Sequence, residues 1–297
     1  MTEELLAVTG ANGFIGSHLI SSLLVRERRV RALVRRPREY GERGVEVRRA
    51  DISDKDSLSS ALENVHTAYY LVHSMKNKGE FAQLDREGAK NFLHAAEDCG
   101  VERIIYLGGL GETGQELSEH LRSRAEVGAI LQSGSIRTTV LRAAIIVGPG
   151  SASWEMLRQL VEHLSLMTTP RWVETRCQPI ALRDILGYLV GCAEVEATAG
   201  GTFDIGGPDV LTYREMMLEV AKVLGKKLRI YGIPILSPRL SSYWVDLVTD
   251  VPSSVARPLI DGLRSEVICR DDRIKSFIPL ELTSFHEAVT LALKGEI

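Results

Sequence analysis

The sequence predicts an α/β protein, a doubly wound parallel sheet with a small C-terminal lobe built from excursions after residue 150. Three observations carry that expectation. Short apolar runs alternate with amphipathic segments of helical period through residue 147, which implies a parallel sheet covered on both faces. The first run, Leu5 to Val8, enters a turn in which Gly10, Gly13 and Gly16 are spaced three apart. Phe14, Ile15, Leu19, Ile20, Leu23 and Leu24 then recur at three- and four-residue steps, as on one face of a helix.

The later elements follow in order. Val30 to Val34 reads as the second strand and ends on Arg35-Arg36-Pro37. Val45 to Arg48 is a short strand, and Asp54 to Leu58 a helix start rich in capping residues. His66 to His73 is the fourth strand, with Ser74 and Met75 beginning its exit loop. Glu80 to Cys99 is a long amphipathic helix that Gly100 stops. Arg103 to Leu107 is the fifth strand and leads into Gly108 and Gly109. Ser118 to Gln132 reads as a helix and Ile136 to Arg142 as a strand.

Beyond residue 150 the pattern is less regular. Trp154 to Leu166 is helical, Met167 to Trp172 a loop with a proline, and Gln178 to Asp184 the lead into a helix through Ala193. Gly201 to Pro208 is a short strand and turn, Thr212 caps a helix to Leu224, and Leu228 to Tyr231 is a short strand. The stretch 233–263 mixes four prolines with large apolar residues. It reads as a substrate lid, a surface for a protein partner or self-association, or a packed excursion. Two parts are expected: a core over 1–150 and a lobe over 151–297 that is partly interleaved with it.

Composition narrows the function. The 297 residues are 44% apolar and 25% charged, ordinary for a globular chain large enough to need no disulfide or metal support. A net charge of −3, with both signs mixed, gives no reason to expect nucleic acid. The four cysteines contain no C-x-x-C pair, so neither metal ligation nor a disulfide framework is expected. No run approaches the ~18 apolar residues of a membrane span, and the N-terminus has no leader pattern. The expectation is a cytoplasmic protein with a small-molecule ligand.

The glycine turn names the ligand class. Strand, glycine turn and helix present backbone N–H groups and a helix N-terminus to a phosphate. A side chain at Gly10 or Gly13 would hold a pyrophosphate away, and Gly16 would let helix and strand pack closely. Gly10, Asn12, Gly13, Phe14, Ile15 and Gly16 are thus candidate contacts to a dinucleotide. An acidic residue after strand two favours NAD, and an arginine there can pair with a 2′-phosphate. Arg35 and Arg36 therefore point to NADP(H) over NAD(H), the plainer reading being two solvated charges before a turn. Asp51 and Ile52 suit the adenine, though Asp51 would also serve as a helix cap. Leu71, Val72 and His73, with Leu107, Gly108 and Gly109, follow the fourth and fifth strands and line the natural cleft.

These residues resemble a known family. Thr9-Gly-Ala-Asn-Gly-Phe-Ile-Gly16 is similar to the TGxxGxxG fingerprint of the extended and atypical short-chain dehydrogenase/reductases, which have the Rossmann fold. Asp51 with Ile52, Leu141-Arg142-Ala143, Gln178 to Asp184 and Phe203 to Pro208 match in order. The likeness is strongest to the atypical NAD(P)-binding branch that holds NmrA-like proteins and an accessory subunit of respiratory complex I. The resemblance implies an NADP(H)-dependent oxidoreductase acting on a small carbonyl, enone or quinone-like substrate. It also implies two alternatives: a non-catalytic regulator or assembly factor, and a nucleotide-sugar epimerase or dehydratase.

The family's chemistry rests on a Tyr-x-x-x-Lys pair on the helix after strand five. Here that helix reads Ser118-Glu-His-Leu-Arg-Ser-Arg-Ala-Glu126, which puts His120 in the tyrosine's place and Arg124 in the lysine's. The expected serine falls at Gly108-Gly109, without a hydroxyl. His120 and Arg124 are the catalytic candidates; the plainer reading is two charged residues one helical turn apart. The third class is the weakest, because it depends on the missing tyrosine.

Overall fold

A computed structural model of the chain describes residues 4–36, 45–73, 81–111, 117–169, 171–232 and 250–297. Its centre is a seven-stranded, all-parallel sheet. The strands are β1 (Leu5–Thr9), β2 (Arg29–Val34), β3 (Val45–Arg49), β4 (Thr67–Tyr70), β5 (Arg103–Gly109), β6 (Arg137–Ala143) and β7 (Thr202–Ile205). Their spatial order is β7-β6-β5-β4-β1-β2-β3. The chain starts in mid-sheet, runs out to one edge through β3, and returns to the other side of β1 with β4. The order reverses between β1 and β4, and ligands of open α/β sheets bind in the crevice outside such a point.

The strand sequences fit their places. β1 and β4 are buried at every residue, which is why they read as continuous apolar runs. β3 lies at an edge and carries Glu46, Arg48 and Arg49, charges that discourage further pairing. Helix α1 (Phe14–Val25) covers one face together with α6 (Leu182–Glu194). Leu19, Ile20 and Leu23 of α1 share an apolar cluster with Ile185, Leu186 and Leu189 of α6. Helices α2 (Lys55–Leu62), α3 (Phe81–Asp98) and α4 (Glu119–Gln132) cover the opposite face, with Leu58, Phe92, Ala96, Val127 and Leu131 buried beneath them. A third cluster joins α5 (Ala152–His163), α7 (Tyr213–Val223), the helix Ser253–Gly262 and the C-terminal helix Phe285–Lys294 around Trp154, Met216 and Val289.

Most boundaries fall within a few residues of those expected, and the exceptions have causes. β4 stops at Tyr70 rather than His73, because the Leu71 amide donates to the Thr9 hydroxyl instead of extending the ladder. β5 runs two residues further, since Gly108 and Gly109 pair with Arg142 and Ala143. The loop expected from Met167 is a correction: Leu166–Thr169 is a strand, paired in parallel with Arg229–Gly232. Its residues alternate outward and inward, a period of two that the neighbouring proline obscured. The helix beyond Gln178 starts later, at Leu182, after Ile180 and Ala181 pair with Ile146 and Val147.

The cap read from sequence at Thr212 holds, for Thr212 with Glu215 closes a capping box on α7; Ser118, which the structure adds, accepts from the Leu121 amide at the start of α4. Residues 74–80, which include Ser74 and Met75, and residues 233–249 of the expected lid or partner surface lie outside the described residues. Among the described residues no helix is long and apolar enough to cross a membrane, and no group of acidic, histidine and cysteine side chains could hold a metal ion.

Candidate functional site

The site begins at the ends of β1 and β4. The Thr9 hydroxyl donates to the Tyr69 carbonyl at 3.0 Å and accepts from the Leu71 amide at 2.9 Å, fastening the strands where they diverge. Gly10 turns the chain with φ +63°, a conformation that L side chains rarely adopt. A Cβ at Gly10 would also stand 3.0 Å from the Leu71 carbonyl oxygen and 3.6 Å from Val72. The Gly13 amide closes the turn on the Gly10 carbonyl at 2.7 Å.

Gly16 is the tightest point, since a Cβ there would lie 2.3 Å from the Gly10 oxygen. Helix α1 starts at Phe14 with Gly13 as its N-cap, no side-chain cap and no acidic residue in its first turn. Its first amides thus keep their donors and the positive end of the helix dipole for an outside anion. Asn12 and Gly13 are exposed at the turn, whereas Phe14 and Ile15 are half-buried. The turn therefore fits a pyrophosphate: side chains are excluded and backbone donors remain.

Arg35 and Arg36 stand exposed just beyond β2. In the loop after β3, Asp51 Oδ1 accepts from the Ser53 amide at 2.9 Å, and Asp54 rather than Asp51 caps α2 through the Ser57 amide. Ile52 is held by α3, for the Asn91 side chain donates to its carbonyl at 2.9 Å. A Cβ at Gly88 would come within 2.5 Å of Ile52 Cδ1. Sequence reading missed both Gly88 and Asn91. The signal for Gly88 was available, an isolated glycine inside a strongly amphipathic helix.

On the other side of the crevice, Leu71 and Val72 are half-buried and His73 is exposed. Leu107 and Gly108 are buried at the end of β5, and the bare Cα of Gly109 leaves room for Leu121 of α4. Arg124 reaches the same strand end. Its guanidinium donates to the Leu107 carbonyl and lies 5.3 Å from the centre of the Tyr106 ring, whose hydroxyl donates to the Arg124 carbonyl at 2.9 Å. His120 is half-buried in the first turn of α4, and burial with the Arg124 charge pushes its imidazole down to about 4. It is neutral throughout the physiological range. A neutral imidazole accepts a proton or shares a hydrogen bond; it is not a strong acid.

A second feature had no assigned role in the sequence. Arg142, at the end of β6, donates from Nε at 2.7 Å and Nη2 at 2.6 Å to Oδ1 of Asp204, on β7. The other oxygen of Asp204 accepts from the Arg270 and Asp271 amides at 2.9 and 3.3 Å. One buried carboxylate thus ties β6, β7 and the C-terminal segment together near the C-terminal ends of the strands.

The structure brings Gly10, Gly13, Gly16, Leu71 and Val72 together, and separately Leu107, Gly109 and Arg124. Arg35 and Arg36 follow β2, whose Leu33 pairs with Thr9, the residue before the glycine turn.

Comparisons agree with this geometry. Residues 10–148 match the family described as NAD(P)H-binding. Cinnamoyl-CoA reductase 1 of Oryza sativa subsp. japonica is 31% identical over 119 residues, which is 37% of this chain and only 35% of that relative's length. A mitochondrial NADH dehydrogenase [ubiquinone] 1 alpha subcomplex subunit 9 of Arabidopsis thaliana is 22% identical over 287 residues, covering 90% of this chain and 71% of that one. An NADPH-dependent quinone oxidoreductase from Escherichia coli, solved with NADPH, overlays with a TM-score of 0.78 at 22% identity, covering 96% and 98% of the two chains. At that identity the overlay speaks for the fold. Residues 10–148 therefore match the NAD(P)H-binding family, and the chain as a whole has a Rossmann-like α/β fold.

Proposed function

We propose that the protein is an NADP(H)-dependent oxidoreductase for a small carbonyl, enone or quinone-like substrate. The observation that carries this reading is a neutral, half-buried His120 beside an anchored Arg124, at a strand end next to the glycine crevice. When bound, the nicotinamide supplies or accepts the hydride. The first turn of α1 holds the pyrophosphate, Asp51 and Ile52 the adenine, and Arg35 and Arg36 a 2′-phosphate. Leu71 to His73 and Leu107 to Gly109 line the cleft. His120 shares a hydrogen bond with the substrate oxygen, its neutral ring accepting from an alcohol or donating its N–H to a carbonyl, while the proton released or taken up with the hydride is exchanged with solvent. Burial, with the Arg124 charge as the lesser cause, keeps that imidazole neutral, and Arg124 is a positioning residue. Residues 1–150 are read as the cofactor part and 151–297 as the substrate lobe.

His120→Ala is expected to lower turnover by about 10²–10⁴-fold while leaving NADPH affinity unchanged. The measurement is turnover across carbonyls, enones and quinones beside a fluorescence titration. Tight NADPH binding with no turnover on any of them would favour a non-catalytic regulator. The bare Gly108 and Gly109, which offer no hydroxyl, already favour that second reading.

The imidazole also links stability to pH. Its folded value lies below the ordinary histidine value of about 6.5, so protonation favours the unfolded chain. Its contribution to stability is complete above about pH 6.5 and is lost as pH falls through about 4. His120→Asn should therefore flatten the fall in Tm across that window, and an unchanged fall would mean that the ring is solvated.

For the cofactor, Arg35→Ala should weaken NADPH binding at least about tenfold more than NADH binding, about 1.4 kcal/mol. Equal losses for the two would remove Arg35 from the phosphate site.

A further inference from the structure

We infer that Arg49, at the end of the edge strand β3, is a further specificity-determining residue for the 2′-phosphate; this rests on the NADP(H) reading above. The strand register carries it. Arg49 pairs with Val34, the last residue of β2, and the next amide, that of Ala50, donates to the Val34 carbonyl at 2.9 Å. β3 therefore ends level with β2, where Arg35 and Arg36 begin.

Alternation along the strand sets the face. Val45 and Val47 pack against the apolar cluster beneath α1, so Arg49, two residues further, lies on the α1 side. That is the side whose helix N-terminus faces the crevice. Arg48 lies on the opposite side with Glu46, which it meets at 2.6 Å and which also accepts from Arg31 at 2.9 Å. Arg49 is exposed and forms no ion pair or hydrogen bond with a described residue, and neither do Arg35 and Arg36.

Three guanidinium groups that no described carboxylate pairs with stand at adjacent strand ends, where like charges repel. Asp51, the described acidic group closest in sequence to Arg49, has Oδ1 engaged by the Ser53 amide. A dianionic phosphate ester relieves that repulsion and accepts the fork-shaped donors of arginine. A diphosphate lacking the extra ester would gain nothing at this point.

The test uses the full chain and four probes: NADPH, NADH, 2′,5′-ADP and 5′-AMP. Arg49→Gln should weaken NADPH and 2′,5′-ADP at least tenfold and leave NADH and 5′-AMP unchanged. Arg48→Gln, one residue away on the other face, should change none of the four. Arg49 is exposed, so an unchanged Tm should accompany its loss of affinity. If the unsubstituted protein prefers NADPH and Arg49→Gln keeps the full preference, the assignment of Arg49 fails while the cofactor reading survives. If the unsubstituted protein binds NADPH and NADH equally, both fall. A parallel loss of NADPH and NADH in Arg49→Gln would overturn the assignment too, as damage to the fold.

Discussion

Gly16→Ala is expected to weaken NADPH binding by about a hundredfold, about 2.7 kcal/mol. Two effects oppose each other at this residue. Gly16 lies inside α1, and alanine is the better helix former there by about 1 kcal/mol. Against that, the new Cβ would stand 2.3 Å from the Gly10 oxygen and 3.0 Å from the Ala11 Cα, both backbone atoms with no rotamer to retreat into. Either the turn moves away from the helix or α1 slides outward. Overpacking of this kind costs about 1–3 kcal/mol, and a 1 Å misplacement of binding groups costs about a hundredfold. The steric term wins because the obstacle is the turn that presents the phosphate donors. The check is a fluorescence titration with NADPH beside a thermal melt. A higher Tm with unchanged affinity would mean that the turn has slack and that Gly16 is dispensable.

Asp204→Ala should destabilise the fold by about 3–5 kcal/mol, read as a lower urea midpoint. The Asp204 side chain is 1% exposed, and its removal strands the Arg142 guanidinium together with two backbone amides. Arg142 is 31% exposed and keeps some water, which places the loss toward the lower end of that range. The double variant Arg142→Met with Asp204→Leu should recover part of the loss, since neither member then leaves an unpaired charge behind. Strictly additive losses in that cycle would show that the two residues act independently and that the backbone amides carry the effect.

Legibility from sequence followed the range of each constraint. Gly10, Gly13 and Gly16 were readable because one short turn imposes all three. The caps Asp54 and Thr212 were readable because a cap acts within its own first turn. β1, β4 and β5 were readable because burial on both faces confines polar residues such as Thr9, Thr67 and Arg103 to the strand ends. Asp204 was not readable: its partners lie on another strand and on a distant segment, and two of them are backbone amides without sequence identity. Ile52 was proposed as an adenine contact, but the need for Gly88 beneath it appears only when α3 is docked. The strand Leu166–Thr169 was hidden because its partner, Arg229–Gly232, comes some sixty residues later.

The sharing of one apolar cluster by α1 and α6 has a consequence for biosynthesis. A nascent chain can pair β1 with β2 and β4 early, since these are made first. The face of α1 that carries Leu19, Ile20 and Leu23 stays uncovered until Leu182–Glu194 has left the ribosome. The half that holds the glycine turn therefore completes its own core only after much of the following lobe exists. Synthesis that stalls between residues 150 and 182 leaves an exposed greasy helix beside a finished glycine turn, the kind of surface that chaperones and proteases recognise.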